Sequence, residues 1–324
     1  MSESKTVLIS GGAGYVGSAL VSRLLRDTNW NVKVFDNLMY ESDSLFQFFN
    51  FEKFSFVKGD LRKFELSKIV ENVDYVVNLA ALVGEPICKK YPKEAKETNF
   101  EANINLAKIC EKQGIERYVM LSTCSNYGLR QNQKMLEEDD ELQPISLYSE
   151  TKVDSEKFLL NELSELPVIV LRASTAYGMA SRIRFDLLLH QFIFEAWEKK
   201  KINIFGANSW RPMVHVDDIA RAIILTLTKN EKIKSKDVFN VGSNDQNFKK
   251  IELAKIVSER LSVDIMETES HKDPRDYRVS FDKITSELEF HTIHRPQESV
   301  EQIVTALENG LINDRILYES VNIK

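Results

Sequence analysis

The chain has little from which to build a disulfide framework, a metal centre or a membrane span. Its three cysteines, Cys88, Cys110 and Cys124, lie far apart in 324 residues and form no C-x-x-C pair, which suits a reducing, cytoplasmic setting. Of five histidines, His291 and His294 are three residues apart but have no third and fourth ligand nearby in sequence, so no metal is expected. No apolar run approaches the ~18 residues of a membrane span. The N-terminus passes into a strand-like run without a signal-like segment, and no membrane partner is expected. Lys and Arg number 43 against 49 Asp and Glu, a net charge of −6, which leaves no broad basic field for nucleic acid. Lys199–Lys201 and Lys249-Lys250 read as solvated helix ends, and no internal repeat or low-complexity linker is visible. A hydrophobic content of 43% is enough for the core of one large or two unequal domains.

What is present is a regular alternation of apolar strands and helices. Thr6-Val7-Leu8-Ile9-Ser10 is a short β-branched run, as in a buried parallel strand. The loop Gly11-Gly12-Ala13-Gly14-Tyr15-Val16-Gly17 follows, and Ser18 to Arg26 reads as a helix with Ala19, Leu20, Leu24 and Leu25 inward. The glycines allow a tight turn and close backbone approach to a pyrophosphate, and the helix N-terminus suits its charge. The spacing is G-x-x-G-x-x-G rather than G-x-G-x-x-G. A second strand, Asn31 to Phe35, ends at Asp36, close to the expected ~20 residues beyond the glycines. A carboxylate there accepts from both ribose hydroxyls and repels a 2′-phosphate, which favours NAD over NADP.

Further strands at Phe54–Val57, Tyr75–Leu79, Arg117–Leu121 and Val168–Leu171 each end at polar or small residues. Asp60, followed by Leu61, is placed to meet the adenine amino group, and Ala80 and Ala81 let a cofactor lie close to the backbone. The pattern predicts an α/β fold, a doubly wound parallel sheet covered on both faces, with ligands at the carboxyl ends of its strands. Tyr148 and Lys152 are four residues apart on a predicted helix from Tyr148 to Leu160, so phenol and ammonium project together. A free tyrosine, with a pKa near ~10, is a poor base at neutral pH. The Lys152 cation and an oxidised nicotinamide ring favour its phenolate. Thr123 supplies a hydroxyl for the reacting substrate oxygen, and Tyr148 removes or returns the alcohol proton as hydride leaves or rejoins the same carbon.

These motifs make the chain resemble the extended short-chain dehydrogenases/reductases, the group of UDP-galactose 4-epimerase and many nucleotide-sugar dehydratases, decarboxylases and reductases. The resemblance runs over most of the chain: the glycine loop, Asp36-Asn37-Leu38, Leu121 to Gly128, Tyr148 to Lys152, Arg172 to Gly178, and Gly206 to Asp218 with Trp210-Arg211-Pro212. It implies a Rossmann-type sheet with a smaller, mostly helical C-terminal substrate domain. The implied division is 1–175 and 214–241 for NAD, against 176–213 and 242–324 for a nucleotide-diphosphate sugar. Implied cofactor contacts are Gly11, Gly14, Tyr15, Val16, Gly17, Asp36, Asn37, Asp60, Leu61, Ala80, Ala81, Asn99, Ser122, Tyr148 and Lys152. Implied substrate contacts are Thr123, Ser125, Asn126, Thr175, Arg211 for the diphosphate, and Arg275 within Asp273-Pro274-Arg275. The segment Arg172 to Gly178 is expected near the nicotinamide. The helices Ala95–Cys110 and Val153–Leu163 either form a four-helix homodimer contact, as in the family, or only cover the sheet.

Three departures from the family pattern bear on the chemistry. Dehydratases of the group carry Asp-Glu directly after the catalytic threonine, where this chain has Cys124-Ser125, so 4,6-elimination is disfavoured. Thr175 stands where relatives often have asparagine, and Pro212 where they commonly have an acid; no chemistry attaches to the latter. Hydride transfer at sugar C4 remains, in a 4-epimerase or in a 4-keto-reductase or dehydrogenase. A cofactor-binding regulatory or scaffold protein of the same fold, without turnover, is the alternative.

Overall fold

The computed structural model describes residues 4–40, 43–129, 134–229, 234–268 and 275–312. Asp273 and Pro274, residues 130–133 of the loop after Tyr127, and the ends of the two implied domains at 1–3 and 313–324 lie outside them. The strands are β1 (Thr6–Ser10), β2 (Asn31–Asp36), β3 (Phe54–Lys58), β4 (Tyr75–Asn78), β5 (Arg117–Thr123), β6 (Met135–Leu136) and β7 (Val168–Ala173). Beyond them come β8 (Thr175–Tyr177), β9 (Lys201–Phe205), β10 (Trp210–His215), β11 (Lys236–Val241), β12 (Asn247–Lys249), β13 (Asp264–Thr268) and β14 (Arg278–Val279). One seven-stranded sheet has the order β11-β7-β5-β4-β1-β2-β3, with every pairing parallel. The order reverses between β1 and β4, which opens a crevice at the carboxyl ends of those strands.

Alternation along each strand covers both faces of the sheet. In β1, Val7 and Ile9 join one apolar core and Leu8 the other. The first core packs beneath the Tyr15–Asp27 and Val216–Thr228 helices through Leu20, Leu24, Ile219 and Ile223. The second lies beneath the Asn103–Lys112 and Leu147–Asn161 helices through Leu106, Ala107 and Leu159. The first helix begins at Tyr15, three residues before the expected start, because Gly14 serves as its N-cap; Ala19 is only partly buried. Short sheets, β12-β10-β8, β13-β9 and β14-β6, and further helices complete the described residues. The helices Leu188–Lys199, Lys250–Leu261 and Pro296–Glu308 share a third core around Phe192, Ile202, Leu253 and Ile303. No helix among the described residues is long and apolar enough to cross a membrane.

Candidate active site

A cavity of about 680 Å³ opens where the carboxyl ends of β1 to β5 and β7 meet the second part of the chain. That volume lies within the range of small-molecule and cofactor sites. Its floor is backbone. Gly11, with φ +79°, turns the chain so closely that a Cβ would lie 2.7 Å from the Ala80 amide nitrogen. The helix that follows has no side-chain cap at Gly14, so its first amides face a ligand rather than a side chain. Asp36 closes this floor: its carboxylate accepts from the amides of Ala13 (3.0 Å) and Leu38 (2.8 Å). Burial raises its pKa, and these amides oppose the rise. Asn37 accepts from the Met39 amide (3.0 Å), and Leu38 adopts φ 56° between them.

Most of the residues expected at a cofactor line this cavity: Gly11, Gly14, Tyr15, Val16, Gly17, Asp36, Asn37, Asp60, Leu61, Ala80, Ala81, Ser122, Tyr148 and Lys152. Two of them are otherwise occupied. The Tyr15 phenol donates to the Gly178 carbonyl (2.7 Å), so only its backbone faces the glycine loop. Asp60 is held by Arg62 through Nε (2.9 Å) and Nη2 (2.6 Å), which keeps its pKa below the usual value. Asn99 does not line the cavity. Its amide accepts from the Leu82 N–H (2.8 Å) and donates to the Leu82 carbonyl (3.0 Å), from a π-helical turn at Glu97–Ala102. It shapes the Leu82 loop, and its neighbour Thr98 reaches the cavity instead.

The groups expected to react stand on two elements. Ser146 caps the Leu147–Asn161 helix, and its side chain and that of Ser149 each accept from the other's backbone amide. Such a box contributes about 1 kcal/mol and fixes where the first turn begins, hence where Tyr148 stands. One turn on, buried Lys152 donates from Nζ to the Leu121 carbonyl (2.8 Å) at the end of β5. Burial pushes its pKa down to about 8, against the opposing charge of Glu156. Burial raises the Tyr148 phenol's pKa, and the Arg184 cation opposes the rise. Thr123 Oγ1 accepts from the Ser125 amide (3.1 Å), which leaves its O–H to donate. Ser125, Thr175, Arg211 and Arg275 also line the cavity.

Asn126 and Arg172 do not line the cavity. Asn126 is fully buried in the 3-10 turn Cys124–Tyr127 and donates to Ser122 Oγ (3.1 Å) and Glu156 Oε1 (2.7 Å), away from any substrate. Arg172 binds Glu156 through Nε (3.0 Å) and Nη2 (2.8 Å), while Ala173, Ser174, Thr175 and Ala176 of its segment line the cavity. Cys124 turns back as well, its thiol donating to the Arg172 carbonyl (3.1 Å). His294 stacks on His215 with centroids 4.1 Å apart and lies 3.0 Å from Asp217. Among the described residues no group of three or more His, Cys, Asp or Glu side chains is arranged to hold a metal ion. Arg182, Arg184, Asp186 and Lys250 line the cavity without having been anticipated. Only their nearness to the Tyr177-Gly178 motif could have flagged the first three.

Comparison with known proteins agrees with this geometry. The family model described as the NAD dependent epimerase/dehydratase family matches residues 7–242. An uncharacterised UDP-glucose epimerase, YtcB, of Bacillus subtilis (strain 168) is 29% identical over 252 residues, 74% of this chain and 77% of its own. The structure of MoeE5 in complex with UDP-glucuronic acid and NAD is 26% identical, with a TM-score of 0.81 over 94% of this chain and 99% of that one. The UDP-glucuronic acid 4-epimerase of Bacillus cereus, at 21% identity, shares the fold with a TM-score of 0.84 over 94% of this chain and 99% of its own. The chain therefore belongs to the NAD dependent epimerase/dehydratase family of extended short-chain dehydrogenases/reductases and is an NAD-dependent enzyme.

Proposed function

We propose that the protein is a 4-epimerase of a UDP-linked hexose or hexuronic acid, working through a 4-keto sugar. The observation that carries this reading is the make-up of the cavity wall beside Thr123. Thr123, Tyr148 and Lys152 line it together, while Cys124 faces inward and Ser125 brings only a hydroxyl. Acid/base groups for an alcohol are thus present, and the carboxyl pair for an elimination is not. The names of the relatives, a UDP-glucose epimerase and a protein crystallised with UDP-glucuronic acid and NAD, support the same substrate class.

Bound NAD supplies the acceptor and donor of the C4 hydride. Its phosphates suit the uncapped amides after Gly14, and its ribose suits Asp36. Tyr148 takes the proton of the sugar 4-hydroxyl and later returns it. Thr123 donates to that same oxygen and holds it toward Tyr148. Lys152, tied to the Leu121 carbonyl, keeps the helix at a fixed distance from β5. Arg184 contributes positive charge that favours the phenolate. Arg211, whose Nη1 donates to the Trp210 carbonyl (2.8 Å), and Arg275 take the diphosphate. The same reading assigns 1–175 and 214–241 to the cofactor and 176–213 and 242–324 to the sugar nucleotide. It also makes the protein a cytoplasmic homodimer through the helices Ala95–Cys110 and Val153–Leu163, which sedimentation would show directly.

The test is to incubate the protein with UDP-glucose and with UDP-glucuronic acid and follow the C4 epimer by proton NMR. An epimer formed without added NADH is expected from one of them. Tyr148→Phe should lower kcat by about 10²- to 10⁴-fold while UDP still binds. Net consumption of NADH with a 4-keto sugar and no epimer would make the protein a reductase. Full activity in Tyr148→Phe would remove the catalytic reading altogether.

A further inference from the structure

Between β8 and the Leu188–Lys199 helix, the segment Gly178–Leu187 forms a strap against the residues that flank the glycine loop and Asp36. Its base is closed by one imidazole. His190 Nε2 accepts from the Gly178 amide (2.9 Å), which leaves Nδ1 as the protonated nitrogen, donating to the Arg184 carbonyl (2.6 Å). The strap is then pinned to the nucleotide-binding half in two more places. Tyr15 donates to the Gly178 carbonyl (2.7 Å), and Gln47 Nε2 donates to Ser181 Oγ (2.5 Å).

Arg182 sits within this strap and lines the cavity, only 7% exposed. Its guanidinium lies over the Tyr40 ring, 3.9 Å from the centroid, and its charge acts on the Asp36 carboxyl. Stacking covers a face of the guanidinium and leaves its in-plane N–H groups to be matched elsewhere. Nη2 is buried and has no hydrogen-bond partner among the described residues. Leaving a charged donor buried and unmatched is costly, and a protein keeps such a group where a ligand oxygen completes it.

We propose that Arg182 is a cofactor-retention residue: held flat against Tyr40, it donates from Nη2 to an oxygen of the dinucleotide beside Asp36, so that NAD stays bound between turnovers. The proposal rests on the NAD assignment and is independent of which sugar is turned over. A sugar nucleotide also offers diphosphate oxygens. The closeness of Arg182 to Asp36, at the end of β2, assigns it to the dinucleotide.

The experiment compares wild type, Arg182→Ala, Arg182→Gln and Tyr40→Leu. Each is desalted and denatured, and the NAD released per chain is counted. The rate of NAD loss is measured by chase with excess labelled NAD, and UDP affinity by calorimetry. Wild type should carry near-stoichiometric NAD. Arg182→Ala and Arg182→Gln should lose it about tenfold or more faster, the usual worth of a hydrogen bond to a charged group. Tyr40→Leu should move in the same direction, with UDP affinity unchanged in all three variants. Arg182→Gln guards against a folding defect in the alanine variant, and circular dichroism checks both. Unchanged NAD loss in the Arg182 variants overturns the proposal. So does a fall in UDP affinity with NAD retention intact, which would give the guanidinium to the substrate. A wild type that binds no NAD(H) fails at the family-level reading, and shows it before any mutation.

Discussion

The wall behind Thr123 and the strap around Arg182 each bury an arginine, and they treat it in opposite ways. Arg172, in the wall, donates from all three nitrogens: to Glu156, to Tyr127 Oη (3.0 Å) and to the Glu138 carbonyl (2.8 Å). Burial disfavours its charge, but Glu156 and Tyr127 outweigh burial and hold its pKa above the ordinary value. Around Arg182 burial wins, against the opposing influence of Tyr40, and the pKa is lowered. The difference separates an arginine that completes the protein from one that is completed by a ligand. Buried charge alone would not have told them apart; the count of matched donors does.

The largest effect expected from breaking this comparison is on folding. Arg172→Ala strands the Glu156 carboxylate, which also accepts from Ser122 and Asn126, and should cost about 3–5 kcal/mol in chemical denaturation. Arg182→Ala, measured without dinucleotide, should cost no more than about 1 kcal/mol, because only a stacking contact is lost. Equal losses would erase the distinction.

Next in size is the pH response of the strap. Burial pushes the His190 pKa down to about 4 from the model-peptide 6.5, so His190 is neutral when folded and takes up a proton more readily when unfolded. Its contribution is therefore fully present above pH 6.5 and is lost as pH falls toward 4, by up to about 3 kcal/mol. Urea midpoints measured across that window should fall for wild type and flatten for His190→Gln. A wild type and a variant with parallel profiles would show that His190 is not the group that titrates.

The smallest expected effect tests how the wall is shared. Ser122 lines the cavity, yet its hydroxyl donates to Glu156 Oε1 and accepts from Asn126 Nδ2. Ser122→Ala should lower stability by about 1 kcal/mol and leave NAD retention as it was. A loss of NAD with stability intact would return Ser122 to the cofactor.

The parts of this site that were legible in the sequence are those fixed by local geometry. A strand end, a glycine turn and a helical spacing of four place Asp36, Thr123, Tyr148 and Lys152 without knowledge of the rest. Six of the seven strands of the main sheet match the apolar runs named above: β1 has the same bounds, β2, β3, β5 and β7 run one or two residues further, and β4 stops one residue earlier. Asn126 and Asn99, carried over from the resemblance, stand on 3-10 and π-helical turns and hydrogen-bond within the protein. Arg182, His190 and Glu156 belong to no motif, and their roles exist only in folded contacts: Arg182 on Tyr40, His190 with Gly178 and Arg184, and Glu156 with Arg172.

The Lys152-to-Leu121 hydrogen bond has a mechanical consequence. It fastens the Leu147–Asn161 helix to β5 one residue before Ser122 and two before Thr123. The phenol, the ammonium and the threonine hydroxyl thus ride on a single jaw. The bond ties the spacing between the Tyr148 phenol and the Thr123 hydroxyl to the packing of one helix on one strand.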